Sequence, residues 1–213
     1  MTRPENISKG DIFLVDDDVA VRRGIAALLS AAEYNVAVFT SGEEFLSELE
    51  TLNIKDAALL VDVCMPGIQG LEVQERLVAD GVKLPVIVMT AHGDIPMAVR
   101  AMQNGAIDFL EKPFTVEEVR AAIDRALSLP RAVWAPPKAA SDKLQYKFEK
   151  LTPREKEVLR GIVDGDTNKE IARSLDVSPR TVEAHRQKIM LKMDAKSFAE
   201  LVRMAVSLRI DNE

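Results

Sequence analysis

Cysteine occurs once in the 213 residues, at Cys64, and histidine only twice, at His92 and His185. A single thiol excludes any disulfide framework within the chain and suits a reducing compartment. Three scattered N and S ligands cannot build a zinc site. No apolar run approaches the roughly 18–20 residues of a membrane span. The first ten residues, MTRPENISKG, hold no apolar stretch of a secretory signal. The expectation is a cytoplasmic protein with no membrane partner. What the chain does contain, 47% hydrophobic and 29% charged residues, is the composition of a globular protein that can bury a core, and it excludes a disordered or fibrous one. At roughly 100–200 residues per domain, the length suits one large domain or two small ones.

The formal net charge of −6 hides a division. Residues 1–130 hold 11 Lys and Arg against 21 Asp and Glu, a balance of −10, whereas residues 131–213 hold 17 against 13, a balance of +4. Opposite halves suggest opposite partners, one cationic and one polyanionic. Between them runs RAVWAPPKAASD, with Trp134 set among prolines. It reads as a linker over 131–150, and SDKLQYKFEK within it can add a helix leading into the second part.

In the first part, continuous apolar runs at 11–15, 35–39, 57–62, 85–90 and 106–110 read as strands covered on both faces. Helical patterns lie between and after them, at 18–32, 42–51, 70–80, 95–104 and 115–129. Five βα units in succession imply a doubly wound parallel sheet, an α/β domain over residues 1–130. The second part reads as all-α, a four-helix domain over 151–213 with helices at 153–163, 168–175, 179–193 and 197–209. Thr152-Pro153-Arg154-Glu155 and Ser178-Pro179 are helix starts. A short helix, a tight turn and a longer helix with basic residues form a helix-turn-helix pattern.

Asp16, Asp17 and Asp18 follow the first strand and Asp62 ends the third. In a doubly wound sheet these carboxylates converge at the carboxyl edge, where ligands bind. Carboxylates ~4 Å apart at an effective dielectric of ~20 repel by about 4 kcal/mol per pair, and a bound cation relieves this. Oxygen-only ligation with open positions suits Mg2+. A solvated acidic loop with a helix N-cap is the simpler alternative. Thr90 at the end of the fourth strand and Lys112 after the fifth add a hydroxyl and an ammonium at the same edge, the donors a transferring phosphoryl group needs.

VDDD, VDVCMPGIQG and MTAHGDIPMAVRAMQNGAIDFLEKPF resemble the receiver domain of two-component response regulators over about residues 10–130. The resemblance implies Asp62 as phosphoacceptor and Mg2+ as cofactor, held by Asp17, Asp62 and the Cys64 backbone carbonyl, with Asp16 acting mainly through water. It further implies that Thr90 and Lys112 bind the phosphoryl oxygens, that Phe109 is the switch aromatic, and that Lys112-Pro113 is a cis peptide. Asp18 is expected to cap the first helix. Cys64 flanks the site, where redox sensing is the alternative to an unreactive thiol; no lysine, arginine or second cysteine adjoins it in sequence to lower its pKa. His92 lies two residues after Thr90, where side chains in this family tune phosphoryl loss, the plainer alternative being a solvated loop histidine.

LTPREKEVLRGIVDGDTNKEIARSLDVSPRTVEAHRQKIMLKMDAKSFAELVRMAV resembles the LuxR-type helix-turn-helix domain, and with the receiver the chain resembles FixJ-type regulators. At 100° per residue, Val182, Ile189 and Met193 share one face of helix 179–193, with His185 beside them as a packed, hydrogen-bonded ring. The resemblance places Glu183, Ala184 and Gln187 at base edges. It places Arg180, Thr181, Lys188, Lys192, Asn168 and Lys169 mostly at phosphates. The implied partners are a sensor histidine kinase, double-stranded promoter DNA, a second copy of the phosphorylated chain and RNA polymerase. No enzymatic activity is implied beyond the domain's own phosphoryl transfer and slow autodephosphorylation. Two other readings stay open. One is a phosphate-independent regulator or protein-sequestering module; the other is a phosphatase using Asp16-Asp17-Asp18 as a D-x-D nucleophile motif.

Overall fold

The computed structural model describes residues 9–90, 95–128 and 142–208. His92, Trp134 and linker residues 131–141 lie outside them. By their contacts the described residues form two compact units, 9–90 with 106–128, and 95–105 with 142–208.

The first unit is built on strands β1 (Asp11–Val15), β2 (Asn35–Phe39), β3 (Ala57–Asp62), β4 (Val86–Thr90) and β5 (Asp108–Glu111). They form one parallel sheet in the order β2-β1-β3-β4-β5. The connecting helices are α1 (Val19–Ala31), α2 (Gly42–Glu48), α3 (Gly70–Ala79), α4 (Ile95–Gln103) and α5 (Val116–Ser128), of which α4 groups with the second unit. β3 is buried at all six positions, as a continuous apolar run requires of a central strand. Alternation along β1 separates two cores. Ile12 and Leu14 join Ile25 and Leu29 of α1 and Ala122 and Ile123 of α5. Phe13 instead meets Phe39 of β2 and Phe45 of α2, with ring centroids 6.4 and 6.0 Å away. Two boundaries of this unit differ from the sequence reading by more than one residue. α2 stops at Glu48 and tightens into a 3-10 turn over Leu49–Thr51. β5 starts at Asp108 because its pairing with β4 begins at Ile87.

The second unit contains α6 (Asp142–Glu149), α7 (Pro153–Val163), α8 (Asn168–Ser174), α9 (Pro179–Met193) and α10 (Phe198–Ser207). α7 and α8 each open with a complete capping box, Thr152 with Glu155 and Thr167 with Glu170. Each box satisfies two backbone donors that a helix start leaves unpaired. Val158, Leu159, Ile162, Ile171, Val182, Ile189, Leu201 and Val202 form the buried faces. No helix among the described residues is long and apolar enough to cross a membrane.

Candidate functional site

The parallel sheet brings the ends of β1, β3, β4 and β5 to one edge. Asp16 continues β1 and is fully buried, Asp62 ends β3 at 5% exposure, and Thr90 ends β4 at 2%. Lys112 follows β5, and its backbone N–H donates to the Thr90 carbonyl at 2.8 Å, which extends the β4–β5 pairing into the site. Its ammonium reaches two carboxylates, donating to Asp16 Oδ2 at 2.8 Å and to Asp62 Oδ1. The remaining oxygens are also engaged. Asp16 Oδ1 accepts from the Asp18 N–H at 2.8 Å, and Asp62 Oδ2 from the Cys64 N–H at 2.9 Å.

Burial pushes the Asp62 carboxyl above its ordinary range, against the opposing pull of Lys112. Burial alone would depress the Lys112 ammonium, but its two carboxylate partners outweigh that and hold it higher than usual. Two buried carboxylates therefore share one cation. Asp18 sits apart and accepts from the Ala20 and Val21 N–H groups as the N-cap of α1. Asp17 is exposed. The Lys112-Pro113 peptide is cis, as expected.

The donors at this edge are all oxygen, which suits a hard cation. No three Asp, Glu, His or Cys side chains gather into a cage among the described residues. Mg2+ does not need one, because it binds through one or two carboxylates with waters and phosphate completing its shell. Asp16, Asp17, Asp62 and the Cys64 carbonyl fit that sparse pattern.

Phe109 is buried on β5 opposite Val88, two positions before the Thr90–Glu111 pair. An unanticipated pair lies beside it. Buried Asp108 accepts from the Phe109 N–H at 3.0 Å and from Arg125 of α5.

In the second unit, α9 turns Glu183, Ala184, Gln187 and Lys188 to solvent and buries Val182, Ile189 and Met193. Arg180 and Lys169 are exposed, and Thr181 and Asn168 half-buried. Three cationic side chains make contacts that no local sequence pattern marks. Lys192 donates to the buried Glu155 carboxylate at 2.6 Å. Arg186 donates to Asn168 Oδ1 at 2.9 Å while its guanidinium lies 4.0 Å from the Phe198 ring centre. Lys147 of α6 donates to the Met193 carbonyl at 3.0 Å, at the C-terminal end of α9. His185 is half-buried as expected, but its Nδ1 is buried without a hydrogen-bond partner.

Residues 12–124 match the family model described as response regulator receiver domain, and residues 149–205 match that of bacterial regulatory proteins of the luxR family. The transcriptional regulatory protein FixJ of Bradyrhizobium diazoefficiens is 39% identical over 97% of this chain and 99% of that one. The chain belongs to the FixJ-like response regulators. The tetrathionate response regulatory protein TtrR of Salmonella typhimurium is 39% identical over 90% of both chains. Full-length FixJ from B. japonicum, known as a crystal structure, aligns at a TM-score of 0.55 with 40% identity, covering 96% of this chain and 100% of that one. A FixJ-like response regulator couples a receiver to a LuxR-type DNA-binding domain. It is thus a regulator of transcription in a two-component system rather than a classical enzyme.

Proposed function

We propose that Asp62 accepts a phosphoryl group from a sensor histidine kinase in the cytoplasm, and that this drives dimerisation and sequence-specific DNA binding. The supporting observation is the pair of buried carboxylates, Asp16 and Asp62, sharing the Lys112 ammonium beside Thr90 at the sheet edge. An Asp62 oxygen attacks the phosphorus of phosphohistidine; an O–P bond forms as the P–N bond breaks and the imidazole leaves. Asp17, Asp62 and the Cys64 carbonyl, with Asp16 beside them, would hold Mg2+, which would neutralise charge on the phosphoryl oxygens. Slow hydrolysis of the acyl phosphate returns the carboxylate.

The phosphoryl group adds about −1.5 to −2 charge, a stronger attraction for Lys112 than Asp16 offers. Lys112 and the Thr90 hydroxyl turn toward it, and Phe109 takes the space Thr90 leaves. In this reading residues 1–130 form the receiver, 131–150 the linker and 151–213 the DNA-binding domain. α9 lies in the major groove with Glu183, Ala184 and Gln187 at base edges. Arg180, Thr181, Lys188, Asn168 and Lys169 reach phosphates. Lys192 is held by Glu155 and contributes to the domain's stability first. RNA polymerase is the partner through which bound dimers act.

Mapping the label after incubation with a radioactive small phosphodonor and Mg2+ tests the central step. Label on Asp62 supports it; label on Asp16 would favour a D-x-D phosphatase, although Asp16 is buried and held by Lys112 and the Asp18 N–H. An intact chain that takes no label would favour the phosphate-independent regulator.

A further inference from the structure

The loop between β3 and α3, residues 63–69, carries the Cys64 carbonyl and is tied down from outside the phosphoryl site. Its near end is fixed by Asp62, whose Oδ2 accepts from the Cys64 N–H. Its far end is fixed by α2. Glu43, in the first turn of α2, accepts the Ile68 N–H through Oε1 at 2.7 Å. These residues stand 25 positions apart in the chain.

Two glycines make the approach possible. Gly67 has φ +74°, a region L side chains rarely adopt, and a Cβ there would come within 2.2 Å of Glu43 Oε1. Gly42 has the same role on the helix side, where a Cβ would meet the Ile68 carbonyl at 2.6 Å. The Glu43 carboxyl is held below its ordinary range, first by its own backbone N–H and then by that of Ile68. The seam thus favours a charged acceptor at this spot.

We propose that Glu43 is a positioning residue of the phosphoryl site, clamping the β3–α3 loop so that the Cys64 carbonyl is presented for Mg2+. The inference rests on Asp62 being the phosphoacceptor with Mg2+ beside it. Glu43 touches neither, and it acts through the Ile68 N–H and the short loop to Cys64. Residues hydrogen-bonded directly to a metal's ligands commonly tune its affinity about 10-fold or more, and Glu43, one step further out, is expected to shift it by a smaller factor, ~3-fold.

The test uses the full chain with Glu43→Ala and Glu43→Gln. Mg2+ affinity is measured calorimetrically, hydrogen exchange at the Ile68 amide by NMR, and labelling of Asp62 by a small phosphodonor in parallel. Glu43→Ala is expected to weaken Mg2+ binding ~3-fold and to speed Ile68 exchange at least as much. Glu43→Gln, which keeps a neutral acceptor, should fall between it and the wild type. If Glu43→Ala does not fold, Glu43→Gln decides alone by the same two readouts. Unchanged Mg2+ affinity overturns the proposal, including the case where exchange at Ile68 accelerates, since the contact would then be purely structural. A wild-type chain that neither binds Mg2+ nor takes label at Asp62 overturns the underlying reading instead, which separates the two failures.

Discussion

At the scale of single residues, the chemistry turns on how many cations serve Asp16 and Asp62. Lys112 bridges both, and burial keeps the Asp62 carboxyl raised. A carboxyl whose folded value lies above its unfolded one favours folding when protonated, and that contribution is lost as pH rises through the folded value. Ionised Asp62 is therefore a standing cost at neutral pH. Asp62→Asn removes one of two buried anions while leaving Lys112 paired with Asp16, so it should abolish labelling and raise the melting temperature, as read by thermal unfolding. A lowered melting temperature would contradict this account of the site. Lys112→Ala should leave Asp62 able to take label while the labelled protein no longer shifts to a dimer on a sizing column; normal dimerisation would sink the switch assignment. Asp16, Asp62, Thr90 and Lys112 were legible in the sequence because each ends or follows an apolar run, and parallel pairing makes such ends neighbours. Glu43 was not. Its partner lies 25 residues away, and only the fold brings the two together.

At the scale of elements, α9 presents a polar outer face and an apolar inner one, and its lysines divide between different tasks. Lys188 is exposed, whereas Lys192 is spent on Glu155, which is only 3% exposed and also closes the capping box of α7. Removing Lys192 leaves the Glu155 carboxylate without its cation, but the lysine side chain is 37% exposed and solvent screens part of the loss, so Lys192→Ala should destabilise by about 1 kcal/mol in urea unfolding. Lys188→Ala should leave stability nearly unchanged, weaken binding to every DNA sequence, and lower the salt slope by about one. Equal effects of the two substitutions on unfolding would refute the division.

Burial would raise the Glu155 carboxyl, but Lys192 and the Thr152 backbone outweigh it and hold it below the ordinary range. Its stabilising contribution is thus present above the unfolded value of about 4.3 and lost as pH falls through the folded one. Acid unfolding of Lys192→Ala should show less of this dependence. Helix starts were readable because capping residues stand three apart in the chain, and the expected bounds of α7 and α9 match those observed. The pairings of Lys192 with Glu155 and Arg186 with Asn168 span 37 and 18 residues, beyond any local pattern.

At the scale of the whole molecule, the net charge of −6 says nothing about nucleic acid until it is divided. The −10 belongs to residues 1–130, whose carboxylates include a site suited to a divalent cation and a phosphoryl group, and the +4 to residues 131–213, which carry the helix-turn-helix. Division between an acidic receiver part and a basic helix-turn-helix part was visible in composition. The fold class followed from five apolar runs alternating with helical patterns. The measurement that tests the account most directly is DNA affinity of the full chain, using a duplex it has selected from a random pool, with and without a small phosphodonor and Mg2+, for wild type and Asp62→Asn. The account predicts that phosphorylation tightens wild-type binding by about 10-fold or more, ~1.4 kcal/mol, and leaves Asp62→Asn unchanged. Equal wild-type affinity in both conditions, or the same gain in Asp62→Asn, would contradict it.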